Sequence, residues 1–401
     1  MERIRDQGSH ILHVDMDAFF VSVELREARH LVGRPVIVGF PAGRSVVLSA
    51  SYEARAMGVR SAMPMSTAMR LCPRAVVIEP RHRLYYEVSG QLMGIFNSIT
   101  DLVEPLSVDE AFLDVAGAVR RLGAPEEIGA LIRSRVASEL GITASVGIAA
   151  SKFVAKIAST RCKPDGMLLI RPEETVAYLH TLPVQALWGV GEKTVAALAR
   201  LGIHTVADVA ATPQPVLRRA LGATGAHVHQ LAWGIDHRPV TPVRVEKSIG
   251  AEETFAVDTN DDDLLTRELL RLAHRTAARL REGGLVARTV ALKVRYADFS
   301  MINRSRTLGT PVDSAALVYA AAVGLLGALG ERPMSVRLIG LRVEGLEPVQ
   351  ETALQLSFDR RDENWRGADA AADAVAARFG GAKIGPARLL PGPKGRQIPQ
   401  R

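Results

Sequence analysis

Cysteine is scarce in this chain: Cys72 and Cys162 are the only two among 401 residues. Two thiols cannot build a disulfide framework, and they read as reduced side chains of a cytoplasmic protein. Zinc-type spacing is lacking as well. Of ten histidines, His227 and His229 stand two apart without cysteine partners, which argues against zinc. No run of about 18 apolar residues occurs, so no membrane-spanning helix is expected. The opening MERIRDQGSH has no apolar signal core, so secretion is not expected. No internal repeat is present. What is there is the composition of an ordinary globular protein, 47% hydrophobic and 23% charged. The length fits two to four domains. A net charge of +7 permits nucleic-acid binding without requiring it.

Hydrophobic period separates the elements. Residues 10–15, HILHVD, read as a short buried strand, and helical period follows from about Phe19. PVIVGF and SVVLSAS read as strands, and residues 64–72 as a helix. Leu84, Val88, Leu92, Ile95, Phe96 and Ile99 recur at helical spacing. So do Ile128, Leu131, Ile132, Val136 and Leu140. VEPLSVDEAFLDVAG reads as two strands meeting near Asp109, TASVGIAAS as another strand and SKFVAKIAS as a helix. This alternation predicts an α+β core. Residues 172–236 change to short helices broken by Gly and Pro, and DHRPVTPVRVEK reads as a linker. Beyond it, RTVALKVRYADF and SVRLIGLRVEGL predict strands around helices over 263–282 and 313–329, a second α+β domain. The last fifty residues are expected to form a mobile tail with one helix near 362–378. Trp365, Ala368, Ala372, Val375 and Phe379 would form its apolar stripe.

The chemistry centres on carboxylates. Asp15 and Asp17 end the first strand, in HVDMDAFFVSVE, and Asp109 and Glu110 lie where two later strands meet, in SVDEAF. An acid at the end of a buried strand is costly to ionise unless positive charge sits beside it. If the two segments are neighbours, Asp15, Asp109 and Glu110 converge, and hard oxygen ligands select Mg²⁺. Two such ions suit in-line phosphoryl transfer. Taken alone, a D-x-D reads as turn residues or helix caps, and Asp17 is expected to cap the helix that starts near Phe19.

HVDMDAFF, SASYEARAMGVRSAMP, LSVDEAFLD, SVGIAASKFVAKIAST and KPDG, with the glycine hairpin GVGEKTVAALARLGI, together resemble the Y-family translesion DNA polymerases over residues 10–347. The resemblance implies a multidomain α+β right hand. A ferredoxin-like palm would span 1–20 and 78–171, small fingers 21–77 and a helix-hairpin-helix thumb 172–236. A linker over 237–246, a little finger over 247–347 and a tail over 348–401 would follow. It implies error-prone, lesion-bypassing, template-directed synthesis on primer-template DNA from dNTPs, without proofreading, by a monomer using two Mg²⁺ or Mn²⁺ ions. Asp15, Asp109 and Glu110 match the metal-binding acids, with the Met16 carbonyl as an extra ligand. Tyr52, Arg55 and Lys163 match contacts to the incoming triphosphate, a role that suits an Arg fork and a Lys point charge. Phe20 falls at the steric gate, a flat ring that clashes with a ribose 2′-hydroxyl. Phe19 and Ser49 would stand beside the nucleotide, although Phe19 also reads as a core aromatic. Ser49, Ala62 and Met63 would give a shallow roof over the nascent pair.

For holding DNA, Gly189 and Gly191 would let backbone amides and a helix N-terminus meet a phosphate, with Lys193 following. In the last domain, strand alternation puts Val290, Leu292, Val294 and Tyr296 on one face and Thr289, Ala291, Lys293 and Arg295 on the other. Arg304 and Arg306 share a face, and Lys247 and Ser248 would open this DNA saddle. Gln355, Leu356 and Phe358 in LQLSFD resemble a sliding-clamp-binding peptide. Two other readings stay open from residues alone: a palm-type nucleotidyl cyclase, and a non-catalytic scaffold binding DNA and the clamp.

Overall fold

The computed structural model describes residues 8–243, 245–351, 361–379 and 384–389. The chain divides into two compact units, Met1–Arg244 and Val245–Arg401. The first opens with β1 (Ile11–Met16) and α1 (Phe19–Leu25). β2 (Val36–Val38), β3 (Ser49–Ala50), α2 (Tyr52–Ala56), α3 (Met65–Leu71) and β4 (Val76–Ile78) follow. Their strands form a small sheet in the order β3-β2-β4, packed around Ile37, Val47, Ala54 and Met65. Of the expected strand SVVLSAS only Ser49–Ala50 pairs along β2, while Val46 makes an isolated bridge to Pro64.

Next come α4 (His82–Ile99), β5 (Val103–Pro105), β6 (Glu110–Asp114), α5 (Val119–Leu122), α6 (Pro125–Arg135), β7 (Ala144–Ala149), α7 (Lys152–Arg161) and β8 (Met167–Leu169). A five-stranded sheet results, ordered β5-β6-β1-β7-β8, with β1 at its centre and antiparallel to both neighbours. Period-2 alternation gives β1 two apolar faces. Leu12, Val14 and Met16 join a core with α4 and α6. Ile11 joins a second core with α7 and the helices α8 (Pro172–His180), α9 (Glu192–Ala199), α10 (Val206–Ala211), α11 (Gln214–Leu221) and α12 (Ala223–Ala232). α7 can settle on β7 because Gly147 has no side chain: a Cβ there would lie 1.9 Å from the Ala155 carbonyl oxygen.

The expected linker over 237–246 is only partly one. Val240 is buried in the second core, Lys152 Nζ donates to the Pro239 carbonyl, and Thr241 N donates to Glu104. The stretch up to Thr241 is thus anchored to the first unit, because Asp236 and Glu104 offer it charged acceptors.

The second unit contains β9 (Ser248–Thr259), α13 (Asp262–Glu282), β10 (Leu285–Tyr296), β11 (Met301–Val312), α14 (Ala315–Gly327), β12 (Val336–Pro348) and α15 (Arg361–Phe379). Its antiparallel sheet runs β11-β10-β12-β9. Val290, Leu292, Val294, Ile339 and Leu341 pack with Leu265, Leu269 and Leu272 of α13 and Val318 of α14. β9 was not foreseen: its run of Gly, Ala and Glu is a poor strand former, and its pairing with β12 supplies the structure.

α15 corrects the expected apolar stripe. Trp365 and Phe379 are exposed. The helix docks instead through charge: Arg366 pairs with Asp313, and Arg281 pairs with Asp369 and Asp373. Asp369, only 6% exposed, also accepts from the Ala315 amide at 2.8 Å. It thereby supplies the N-cap that Ser314 does not make for α14. With seven alanines among its nineteen residues, the helix buries too little apolar area to dock without these ion pairs.

Candidate active site

The site sits where β1 and β6 run side by side. Asp15 and Glu110 are register partners across that pair, so their side chains share one face. That face looks onto α7. His13, two residues before Asp15, therefore points the same way and is fully buried. Ligand atoms of His13, Asp15 and Glu110 all lie within 4.8 Å of one another.

Asp109 joins this cluster through its backbone: its carbonyl accepts the Met16 amide at 3.0 Å. Its carboxylate accepts from Ser107 Oγ at 2.5 Å. The structure thus brings two of the three expected acids together and holds the third alongside.

Two lysines rest on the cluster. Lys163 Nζ lies 2.5 Å from Asp15 Oδ1 and 3.0 Å from the Met16 carbonyl. Lys156 Nζ lies 2.5 Å from Glu110 Oε2 and 3.4 Å from His13 Nε2. Burial is the largest effect on Asp15 and raises its pKa, while Lys163 opposes the rise. Burial pushes Glu110 up too, but hydrogen bonds from His13 and Lys156 outweigh it and hold Glu110 at about 2. His13 itself is lowered, chiefly by burial. His13 and Lys156 were missed as site residues. The spacing H-x-D carried the signal for His13, and position i+4 from Lys152 on the helix carried it for Lys156.

Asp17 is not a helix cap. Ala18 occupies the N-cap of α1 and no side chain caps it. Asp17 is buried and accepts four hydrogen bonds: Tyr52 Oη at 3.1 Å, Ser145 Oγ at 2.9 Å, Thr143 Oγ1 at 2.8 Å and the Asp165 amide at 2.8 Å. One carboxylate therefore ties α2, β7 and the loop after Lys163 to the end of β1. Tyr52 in turn lies under the Arg55 guanidinium, 5.0 Å from ring centroid to carbon. Arg55 Nε donates to the Ala50 carbonyl at 2.9 Å.

Phe20 stacks on Tyr85 with centroids 4.3 Å apart and stands edge-on to His82. Phe19 is 2% exposed and packs in the core. Ser49 is buried in β3. Gly189 has φ +89°, the left-handed region that glycine tolerates, and Gly191 is the N-cap of α9, just ahead of Lys193.

In the second unit, the basic residues fall on two faces of the sheet. Arg304 pairs with Leu292 and Arg306 with Val290. Both arginines therefore point to the helix-covered side, at the exposed edge strand. Lys293 and Arg295 point to the open side, opposite Asn303 and Met301. Arg342 and Ser248 share that open side, where Gly250 and Gly340 leave a hollow of about 290 Å³. The register, invisible in the sequence, separates the two sets. Lys247 precedes β9 and is exposed. Gln355, Leu356 and Phe358 lie outside the described residues.

A palm-like sheet carrying paired carboxylates and flanking lysines, followed by a glycine hairpin, defines a nucleotidyl-transferring polymerase. Family models describe the same class: the impB/mucB/samB family matches residues 14–160 and its C-terminal domain residues 246–358. The chain is 44% identical over 382 residues to DNA polymerase IV of Desulfatibacillum aliphaticivorans, covering 95% of this chain and 96% of that one. It is 47% identical to DNA polymerase IV of Alkalilimnicola ehrlichii, covering 87% and 98%. Among solved structures, a Y-family DNA polymerase chimera of Dbh and Dpo4 matches with TM-score 0.76 and 27% identity over 84% of this chain and 98% of that one. DinB from Sulfolobus solfataricus matches with TM-score 0.58 and 27% identity over 83% and 98%. The chain belongs to the Y-family DNA polymerases, in the group of the bacterial DNA polymerases IV.

Proposed function

We propose that this polymerase extends a primer 3′ end against a template, with low fidelity, lesion tolerance and no proofreading. The carrying observation is the register that sets Asp15 against Glu110, with Lys163 bridging Asp15 and the Met16 carbonyl. The donor set fits divalent metal ions: it is hard oxygen, and ammonium groups already rest where cations would be held. Asp15, Asp109, Glu110 and the Met16 carbonyl would hold two Mg²⁺ or Mn²⁺ ions. Bound ions would activate the primer hydroxyl and neutralise the departing pyrophosphate.

The chain's own residues do the rest. Arg55, Tyr52 and Lys163 bind the triphosphate and turn its α-phosphate to the primer. Phe20, backed by Tyr85, leaves no room for a 2′-hydroxyl. Ser49 and Ala62, with small side chains, and the unbranched Met63 leave the nascent pair loosely covered. In this reading, residues 1–20 and 78–171 form the palm, 21–77 the fingers and 172–236 the thumb. Residues 247–347 form the little finger. Gly189, Gly191 and Lys193 meet backbone phosphates, and Lys293, Arg295 and Ser248 line the open little-finger face against DNA. Arg304 and Arg306 reach DNA only from the edge. The protein works as a cytoplasmic monomer, and residues 355–358 tether it to a sliding clamp.

Labelled primer-template with Mg²⁺ and dNTPs tests this. Extension that Asp15→Asn and Glu110→Gln abolish supports it. No extension by the wild-type chain refutes it, and cyclic nucleotide formation without a primer would favour the cyclase reading.

A further inference from the structure

Lys163 and Lys156 pair with the very carboxylates that the reading above gives to metal ions. Asp15 and Glu110 carry two negative charges, and the two ammonium groups carry two positive ones. Each lysine lies 2.5 Å from its carboxylate. Lys163 does more than pair: it bridges Asp15 Oδ1 and the Met16 carbonyl, the two oxygens at the end of β1. Both pairs are sheltered. Lys163 and Asp15 are each 18% exposed, and Lys156 and Glu110 are 26% and 22% exposed. Lys156 Nζ also lies 3.4 Å from His13 Nε2 and 6.0 Å from the centroid of the Trp188 ring.

We propose that Lys163 and Lys156 are built-in counter-cations that occupy the metal oxygens until substrate arrives. The inference rests on the polymerase reading. Its physical basis is that a sheltered carboxylate must be neutralised by something. A divalent ion entering alone must first strip an ammonium group from its carboxylate, which leaves that lysine without an acceptor. A dNTP supplies the missing acceptor: its triphosphate takes Lys163 while its metal takes Asp15. Metal and nucleotide binding are therefore coupled, and each is weaker without the other. Lys163 acts on the metal as a competitor and on the nucleotide as a ligand, so its removal moves the two affinities in opposite directions. Lys156 competes in the same way at Glu110.

The test is Mn²⁺ binding to the full chain without DNA or dNTP, read by electron paramagnetic resonance, beside the dNTP KM in primer extension. Lys163→Met is expected to bind Mn²⁺ about tenfold more tightly than wild type while its dNTP KM rises about tenfold. Lys156→Met is expected to tighten Mn²⁺ binding with a smaller change in KM. Lys163→Arg, which keeps the charge, is expected to retain wild-type Mn²⁺ affinity. A folded Lys163→Met that binds Mn²⁺ no more tightly than wild type overturns the proposal. Should Lys163→Met fail to fold, Lys163→Gln serves as the same test. Absence of primer extension by wild type would refute the polymerase reading separately, since the Mn²⁺ measurement does not depend on it.

Discussion

Replacing Asp17 by alanine separates the two acids of the HVDMD segment. Asp17 is 2% exposed and receives four hydrogen bonds, from Tyr52, Thr143, Ser145 and the Asp165 amide. The three hydroxyl donors can rotate towards other acceptors. The Asp165 amide cannot, and a buried unsatisfied donor costs about 1–3 kcal/mol. Bonds to a charged acceptor contribute about 1.5–3 kcal/mol each, of which rotation recovers part. A net loss of about 4 kcal/mol follows, or a Tm lowered by about 10 °C for a unit of this size. Asp15→Asn should behave in the opposite sense. Asn keeps an oxygen that accepts from Lys163 where the Asp15 carboxylate did, so Tm stays within about 2 °C while primer extension falls about a hundredfold or more. Calorimetry of the full-length variants, read beside primer extension, makes the comparison. An Asp17→Ala protein melting with wild type would refute the hydrogen-bond hub.

Phe20→Val opens the space beneath the sugar and should raise ribonucleotide incorporation relative to dNTP roughly 10- to 100-fold, measured by single-nucleotide insertion. Asp369→Ala removes the cap that α15 lends to α14 and should cost about 2 kcal/mol, seen by chemical denaturation. Glu110 is held at about 2 in the folded chain, below its unfolded value. Its contribution to stability is therefore fully present above the unfolded carboxylate range and lost as pH falls towards 2. Glu110→Gln should flatten that acid limb in a pH series of melting curves. Lys293→Ala should lower the slope of DNA affinity against salt by about 1, and Arg304→Ala should lower it less, because the two side chains leave opposite faces of the sheet.

The amino-acid sequence by itself determined the elements and the acids. Apolar period placed β1, α4, β7 and α7 within a residue or two, since each buries one periodic face. The D-x-D and D-E pairs marked the candidate site because acids at buried strand ends are costly to ionise without positive charge beside them. The tertiary structure alone decided the rest. Register chose Glu110 over Asp109 as the partner of Asp15, and it put Arg304 and Lys293 on opposite faces. Neither can be read from spacing, because a one-residue slip reverses every side chain. Asp17 looked like a cap from its position. Its true partners come from residues 52, 143, 145 and 165, which only folding brings together. The docking of α15 was equally hidden: its alanines suggest an apolar stripe, while the charges that hold it find their partners on α13 and before α14. Local sequence fixes what a segment can become. Long-range pairing fixes which charges meet, and in this protein the meeting of charges makes the candidate site.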